Sequence, residues 1–149
     1  MSDIVTIWRP DQAAGDWLIA GSELDALLNT EGDGTDLYSA VLISIFSDAR
    51  AAEDEVIPDS SSDRRGWWAG DIGSKLWLRM RSKATVQLLP IVKKDIEDAL
   101  QWLIDDGVAA AIDVSVNWDR PGFLAGTVTV RRQDGSTKAI NFQRVWESR

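Results

Sequence analysis

From residue 111 onward the chain alternates. Ile112, Val114, Val116 and Trp118 take every second place, with Asp113, Ser115 and Asn117 between them. A period of two sends the first set to one face of a strand and the second set to the other. Asp119-Arg120-Pro121-Gly122 fits a turn, with Pro and Gly centrally placed. A second strand at 123–132 puts Leu124, Val128 and Val130 on one face and Thr127, Thr129 and Arg131 on the other. Asp134-Gly135 makes a hairpin turn, and 137–146 returns with Ile140, Phe142 and Trp146 inward. The pattern predicts a three-stranded antiparallel meander with one apolar and one wet face.

Two stretches change to a helical period. Leu37, Val41 and Ile45 stack beside Tyr38, Leu42 and Phe46, so a helix begins with Thr35 or Asp36 as N-cap and ends near Asp48. A second, over 86–105, turns Leu89, Val92, Ile96, Ala99, Leu100 and Leu103 to the core and Asp95, Glu97 and Asp98 to water. Pro90 falls in its first turns, where it deletes one backbone bond. Gly107 stops it, after Asp105 and Asp106 oppose the macrodipole. Short strands are expected at 4–8 and 16–20, while Leu24 to Leu28 fits a strand or a helical turn. Glu31 to Gly34 reads as a loop. So does 49–63, with Pro58 and three serines, and a loop that long inside a compact domain is uncommon and often functional. Ile72 to Met80 fits a strand or a short helix. The sum is an α+β fold in one domain over 1–149: short N-terminal strands and an acidic loop in 1–34, then two amphipathic helices packed on the meander in 35–146.

Composition narrows the chemistry. The chain has 149 residues, no cysteine and no histidine. A Ser-His-Asp triad, His-ligated zinc, thiolate metal sites and disulfides are therefore absent, which leaves carboxylates, lysines and oxygen-ligated metals. No apolar run is long enough for a membrane span, and MSDIVTIWRPD is unlike a signal peptide, so cytoplasm-like conditions are expected. The net charge of -8 is uneven. Residues 1–48 hold nine acids against Arg9 alone, and 49–149 balance. That acidic third is either a solvated surface or a face for a basic partner. Within the balanced part, Arg64, Arg65, Lys75, Arg79, Arg81 and Lys83 stand against Asp71 and form a local basic, Trp-rich segment.

That segment opens with DRRGWWAGD at 63–71. Arginine beside tryptophan suits a single-stranded nucleic-acid groove, but the surrounding charge is the reverse of the usual footprint. Tryptophan beside Asp63 and Asp71 suits sugar binding, and a glycosidase needs two carboxylates at a set separation, one with a raised pKa. With 24 acids some pair always qualifies. Core packing of Trp67, Trp68 and Trp77 is the plain reading. An assembly interface is the other, because Trp and Arg are the enriched anchors there. On that reading Asp63, Arg64, Arg65, Trp67, Trp68 and Trp77 hold a partner. Glu53-Asp54-Glu55 lacks calcium-loop spacing, Gly70 and Gly73 form no phosphate loop, and the serines at 60–62 have no base. No catalytic residue, cofactor or metal is expected. The outer strands of the meander contain no proline inside their runs, so an edge is either available to a strand from another chain, at Val114 and Val116 or at Asn141 and Gln143, or covered by loops or the N-terminal strands.

TDLYSAVLISIFSDARAAEDEVIPDSSSDRRGWWAGDIGSKLWLRMRSK, then ALQWLIDDGVA, then a β-meander, resembles the Mu-like bacteriophage tail protein family over about residues 35–146. The family is in turn similar to the T4-type baseplate wedge proteins that start sheath polymerisation. The resemblance implies a non-enzymatic structural protein of a contractile-tail baseplate, assembled in the host cytoplasm. It would surround the tail tube in six copies, beside other wedge proteins and the sheath, with no nucleic acid and no membrane. In the broader relatives a Gly-Glu-Arg element precedes a Gly-containing segment and a long helix, and Asp63-Arg64-Arg65, Gly73 and the 86–105 helix stand in comparable places. Their Trp-Glu-Pro-Arg element is replaced here by Trp102-Leu-Ile-Asp-Asp-Gly107, so a docking role resting on it does not carry over. Some relatives are labelled lysozymes, which makes a peptidoglycan-cleaving carboxylate enzyme the alternative. An isolated nucleic-acid-binding module is the third reading.

Overall fold

The computed structural model describes residues 5–9, 14–18, 34–66 and 70–146. Strands β1 (Val5–Arg9) and β2 (Ala14–Leu18) form an antiparallel pair of their own, with Trp8 opposite Gly15. Helix α1 (Gly34–Phe46) follows, then an irregular stretch containing only a short helix α2 (Leu76–Arg79). A turn of 3-10 helix (Val86–Leu88) leads into α3 (Leu89–Asp105). Strands β3 (Ala111–Arg120), β4 (Phe123–Arg131) and β5 (Thr137–Val145) complete the fold as an antiparallel sheet in the order β3-β4-β5. The expected α+β meander is present. Leu24 to Leu28 and residues 31–33 lie outside the described residues.

The two helical faces and the inner sheet face meet in one core. Val41, Ile45, Val92, Ile96, Leu100, Leu103, Leu124, Val128 and Ile140 are all buried there. Tyr38, Phe46, Leu89, Ile112, Val116 and Trp118 pack half-buried around it. Gly126 sits on the inner face of β4, where a Cβ would fall 2.3 Å from Cζ of Phe142. A side chain there would displace a fully buried ring of the core, which explains a glycine inside a strand.

Several boundaries move. Helix α1 starts at Gly34, so Thr35 and Asp36 lie in its first turn rather than at the cap, and it ends at Phe46 rather than near Asp48. Pro90 occupies the first positions of α3, where no intrahelical bond is lost. Gly107 adopts a φ of +74° and ends α3 as expected. The β3–β4 turn is tighter than Asp119–Gly122, because β3 runs on to Arg120 through a register shift between Trp118 and Arg120. The main correction is Asp95. Expected in water, it is only 7% exposed. Arg79 explains this: its Nε donates to Asp95 Oδ2 at 2.9 Å and its Nη2 reaches Oδ1 at 3.4 Å. A buried carboxylate persists when a guanidinium meets it side-on in this way. The bond to Asp95 is also the main reason the Arg79 pKa stands above its ordinary value.

Tryptophan staples the connections. Trp102 Nε1 donates to Ser44 Oγ (2.9 Å), Trp118 to Thr85 O (2.9 Å), Trp146 to Ser82 O (2.8 Å) and Trp77 to Ala49 O (2.8 Å). Each ring contributes apolar area to a packed surface while its N–H donates to a loop or helix oxygen.

A latched lobe and an open sheet: the candidate functional site

The irregular stretch from Ser47 to Lys75 closes on itself. At its base Ala49 N–H donates to Ser74 O (3.0 Å) and Ser74 N–H to Ser47 O (2.9 Å), an isolated parallel bridge. Ser74 Oγ adds a bond to Ile45 O at 2.6 Å. Gly73 takes a φ of +113° and approaches so closely that a Cβ would lie 2.6 Å from Ser47 O. Only glycine fits there. Above the base the lobe has its own small apolar cluster of Ala51, Ile57, Trp77 and Leu78, separate from the main core.

Polar contacts do the rest. Arg64 turns inward: Nη1 donates to the carbonyl oxygens of Ala52 and Glu55, and Nη2 to that of Glu53 at 2.9 Å. One guanidinium thus satisfies three carbonyls of a turn that has no strand or helix to bond to. Arg65 has a φ of +50°, donates Nη1 to Asp48 Oδ2 at 2.6 Å, and lies over the Trp77 ring at 4.4 Å. Asp63 Oδ1 accepts Arg65 N–H at 2.9 Å and so fixes that turn. Glu55 accepts from Ala52 N–H at 2.7 Å and pairs with Lys75 at 2.9 Å. Burial pushes the Glu55 carboxyl up, but the Ala52 N–H and the Lys75 ammonium outweigh it and leave the pKa below the ordinary value.

These contacts redraw the basic segment. Arg65, Lys75 and Arg79 are paired with Asp48, Glu55 and Asp95, and Arg64 is occupied by carbonyls. Most of the segment's charge is met inside the molecule, while Arg81 and Lys83 stay exposed. Of the expected anchors, Trp77 is the floor of the lobe at 5% exposure, Arg64 is half-buried, and Asp63 and Arg65 are exposed. Trp67 and Trp68 lie outside the described residues, between Gly66 and Gly70. A cleft in the described part of the lobe is lined by Ala49, Arg50, Arg65, Gly70, Asp71 and Gly73. Sequence reading gave Asp48, Arg50 and Glu55 no part in the site and counted Lys75 only toward the basic segment, because no period marks partners that the folded loop brings together.

The second candidate surface is the sheet. Arg132 N–H donates to Ser136 O (2.8 Å) and Trp146 N–H to Gly122 O (2.7 Å), framing the β4–β5 pair. Opposed residues alternate between bonded and non-bonded pairs in an antiparallel ladder. Hence Val128–Ile140 and Gly126–Phe142 are bonded pairs, and the odd-numbered residues of β4 turn to β3, where Thr129–Asp113 and Thr127–Ser115 are opposed. The N–H groups of Ile112, Val114 and Val116 therefore point off one edge of the sheet, and those of Ala139, Asn141 and Gln143 off the other. The side chains of Val114 and Val116 face the core, Val114 at 2% exposure, while Asn141 lies on the outer face and accepts from Thr127 Oγ1 at 2.8 Å. Among the described residues no further strand joins either edge.

Nothing in the described part gathers three or more acidic side chains around a metal-sized space. Among the described residues the carboxyls with displaced pKa values, Glu55, Asp59 and Asp134, are all displaced downward, the last two by hydrogen bonds from Ser61 and Ser136. A proton donor to a glycosidic oxygen needs the opposite displacement.

Comparison with known proteins places this architecture. Baseplate protein gp46 of Escherichia phage Mu is 36% identical over 148 residues, covering 96% of this chain and 96% of its own. Mu-like prophage FluMu protein gp46 of Haemophilus influenzae is 32% identical over 152 residues, 98% of each chain. No solved structure matches. A family model described as phage protein GP46 matches residues 37–137, from the first turn of α1 through all of β3 and β4 to the first residue of β5. By that match and the end-to-end similarity of both relatives, the chain belongs to the phage protein GP46 family.

Proposed function

We propose that this chain is a structural subunit of a phage tail baseplate and that it starts the contractile sheath. The observation that carries the first part is the likeness to the Mu baseplate protein along nearly the whole of both chains. The second part rests on the sheet. Two outward rows of N–H and C=O groups suit addition of a strand from another protein, and backbone pairing is largely blind to sequence. A template that begins a polymer of a different protein needs that tolerance.

In this reading the subunit stands in the baseplate near the tail tube in six copies, after assembly in the host cytoplasm, with wedge proteins on one side and the sheath on the other. The lobe holds it there. Trp67 and Trp68, with Arg65 and Asp63 beside them, form the contact, while Arg64 and Trp77 act from beneath by fixing the shape. The described part of the lobe is held by its own bonds, so docking does not have to order that part, which favours affinity. The chain acts without catalysis. The downward displacement of its shifted carboxyls supports that over the peptidoglycan-cleaving alternative, and the internal pairing of the basic segment speaks against a nucleic-acid groove.

The test is a phage or prophage lacking this chain. It should assemble tail tubes without sheath, and supplying the intact chain should restore sheathed tails in electron micrographs. Sheathed tails in the chain's absence would remove the initiator role. Cell-wall hydrolysis by the purified protein, lost on changing one carboxylate to its amide with folding intact, would favour the enzyme.

A further inference from the structure

Granted that a sheet edge receives a strand, the two edges are not equivalent, and we infer that β3 rather than β5 is the receiving edge. The partner it fits is a strand of another protein with an apolar inner face.

The inner row of β5 reads Lys138, Ile140, Phe142, Arg144. Both cations are half-buried on the core side, and the Arg144 guanidinium lies 5.4 Å from the Phe46 ring. Inward-pointing charge on an edge strand is a recognised guard against pairing, because an added strand must bury its own inner side chains beside it. The inner row of β3 reads Ile112, Val114, Val116, Trp118, with no charge among them. Ile112, Val116 and Trp118 are half-buried although they pack on the core, so an apolar ledge is left along this edge. Helix α3 packs chiefly on β3. The register shift between Trp118 and Arg120 guards only the hairpin end, and the straight run from Ala111 to Asn117 has a regular ladder behind it.

Charge separates a second copy from another protein rather than choosing the partner's outer face. Asp113 and Asp119 are exposed along β3, but so are Arg120 at its end and Arg131 opposite Ala111, so the outer face carries both signs. A second copy of this chain brings a second net charge of -8 to the encounter, and like-charged partners oppose docking.

The test compares Val116→Pro, Val116→Lys and Ala139→Pro, each supplied to phage lacking the chain, with thermal unfolding of the purified variants as the control for folding. Val116→Pro removes an outward N–H of β3, Val116→Lys copies the guard of β5 while keeping every backbone donor, and Ala139→Pro removes an outward N–H of β5. Both Val116 variants should enter baseplates yet leave bare tubes, and Ala139→Pro should give normal sheaths. Bare tubes from Ala139→Pro, alone or together with the others, would overturn the choice of β3 and keep the edge reading. Normal sheaths from all three would overturn both. Should Val116→Pro fail to fold, Val116→Lys decides: bare tubes sustain β3, normal sheaths refute it. Dimerisation of the purified protein through β3 would overturn the assignment to another protein.

Discussion

The sheet half and the lobe half of this molecule are held by different physics. Under the sheet, buried aliphatic and aromatic side chains from α1, α3 and three strands form a single core. In the lobe, four apolar residues form a separate cluster and the shape is set by arginine, glutamate and backbone oxygens. Burial is additive and forgiving of sequence, whereas the lobe depends on a few directional bonds whose partners are far apart in the chain. The difference predicts where each half breaks and how much of the protein goes with it.

The largest effect should come from Phe142→Ala. Phe142 is 1% exposed and meets Phe46 edge-on at 6.0 Å. Truncating such a ring costs about 3–5 kcal/mol, so the whole fold should melt at markedly lower temperature with lobe and sheet lost together. Asp95→Ala comes next. It leaves the Arg79 guanidinium, 29% exposed, without its carboxylate. A hydrogen bond to a charged partner is worth roughly 2 kcal/mol, and calorimetry should show a global loss of about that size, because the pair ties α2 to α3.

Arg64→Ala should separate the two halves. The Glu53 and Glu55 carbonyls lose the guanidinium and Ala52 O keeps only the Glu55 N–H, at about 1–2 kcal/mol for opening the lobe, yet the main core is untouched. Limited proteolysis should cut within 52–64 about tenfold faster while the melting temperature moves little. An equal loss of global stability would mean that lobe and sheet form one cooperative unit. The smallest effect is a pH dependence. The folded pKa of Glu55 is depressed, so its stabilisation is complete above the ordinary carboxylate value and is lost as pH falls through the depressed one. Exchange of the Ala52 amide, which donates to Glu55, should quicken over that acid range before the sheet amides do.

The same contrast explains what the sequence made legible. The meander was readable because alternation is local: Ile112 to Trp118 announces its inner face without knowledge of any other strand. The helical stripes were readable for the same reason. Asp95 was not, since its periodic position on α3 says water and only Arg79, sixteen residues away, reverses that. The basic segment misled in the same way, because like charges close together in sequence carry no sign of Asp48 or Glu55 folding onto them. A glycine within the β4 pattern was the available signal for the close approach of Phe142, and it marks packing rather than a site. The edges followed from the strand order, but which N–H groups point outward required the bonded register.

The most direct test of the central claim is a cryo-EM reconstruction of the assembled tail at a resolution that traces strands. The account predicts a strand of another protein hydrogen-bonded alongside Ile112, Val114 and Val116, extending this chain's sheet into the first ring of sheath. A reconstruction in which both edges of the sheet face solvent, or are covered by this chain's own N-terminal residues, would contradict it.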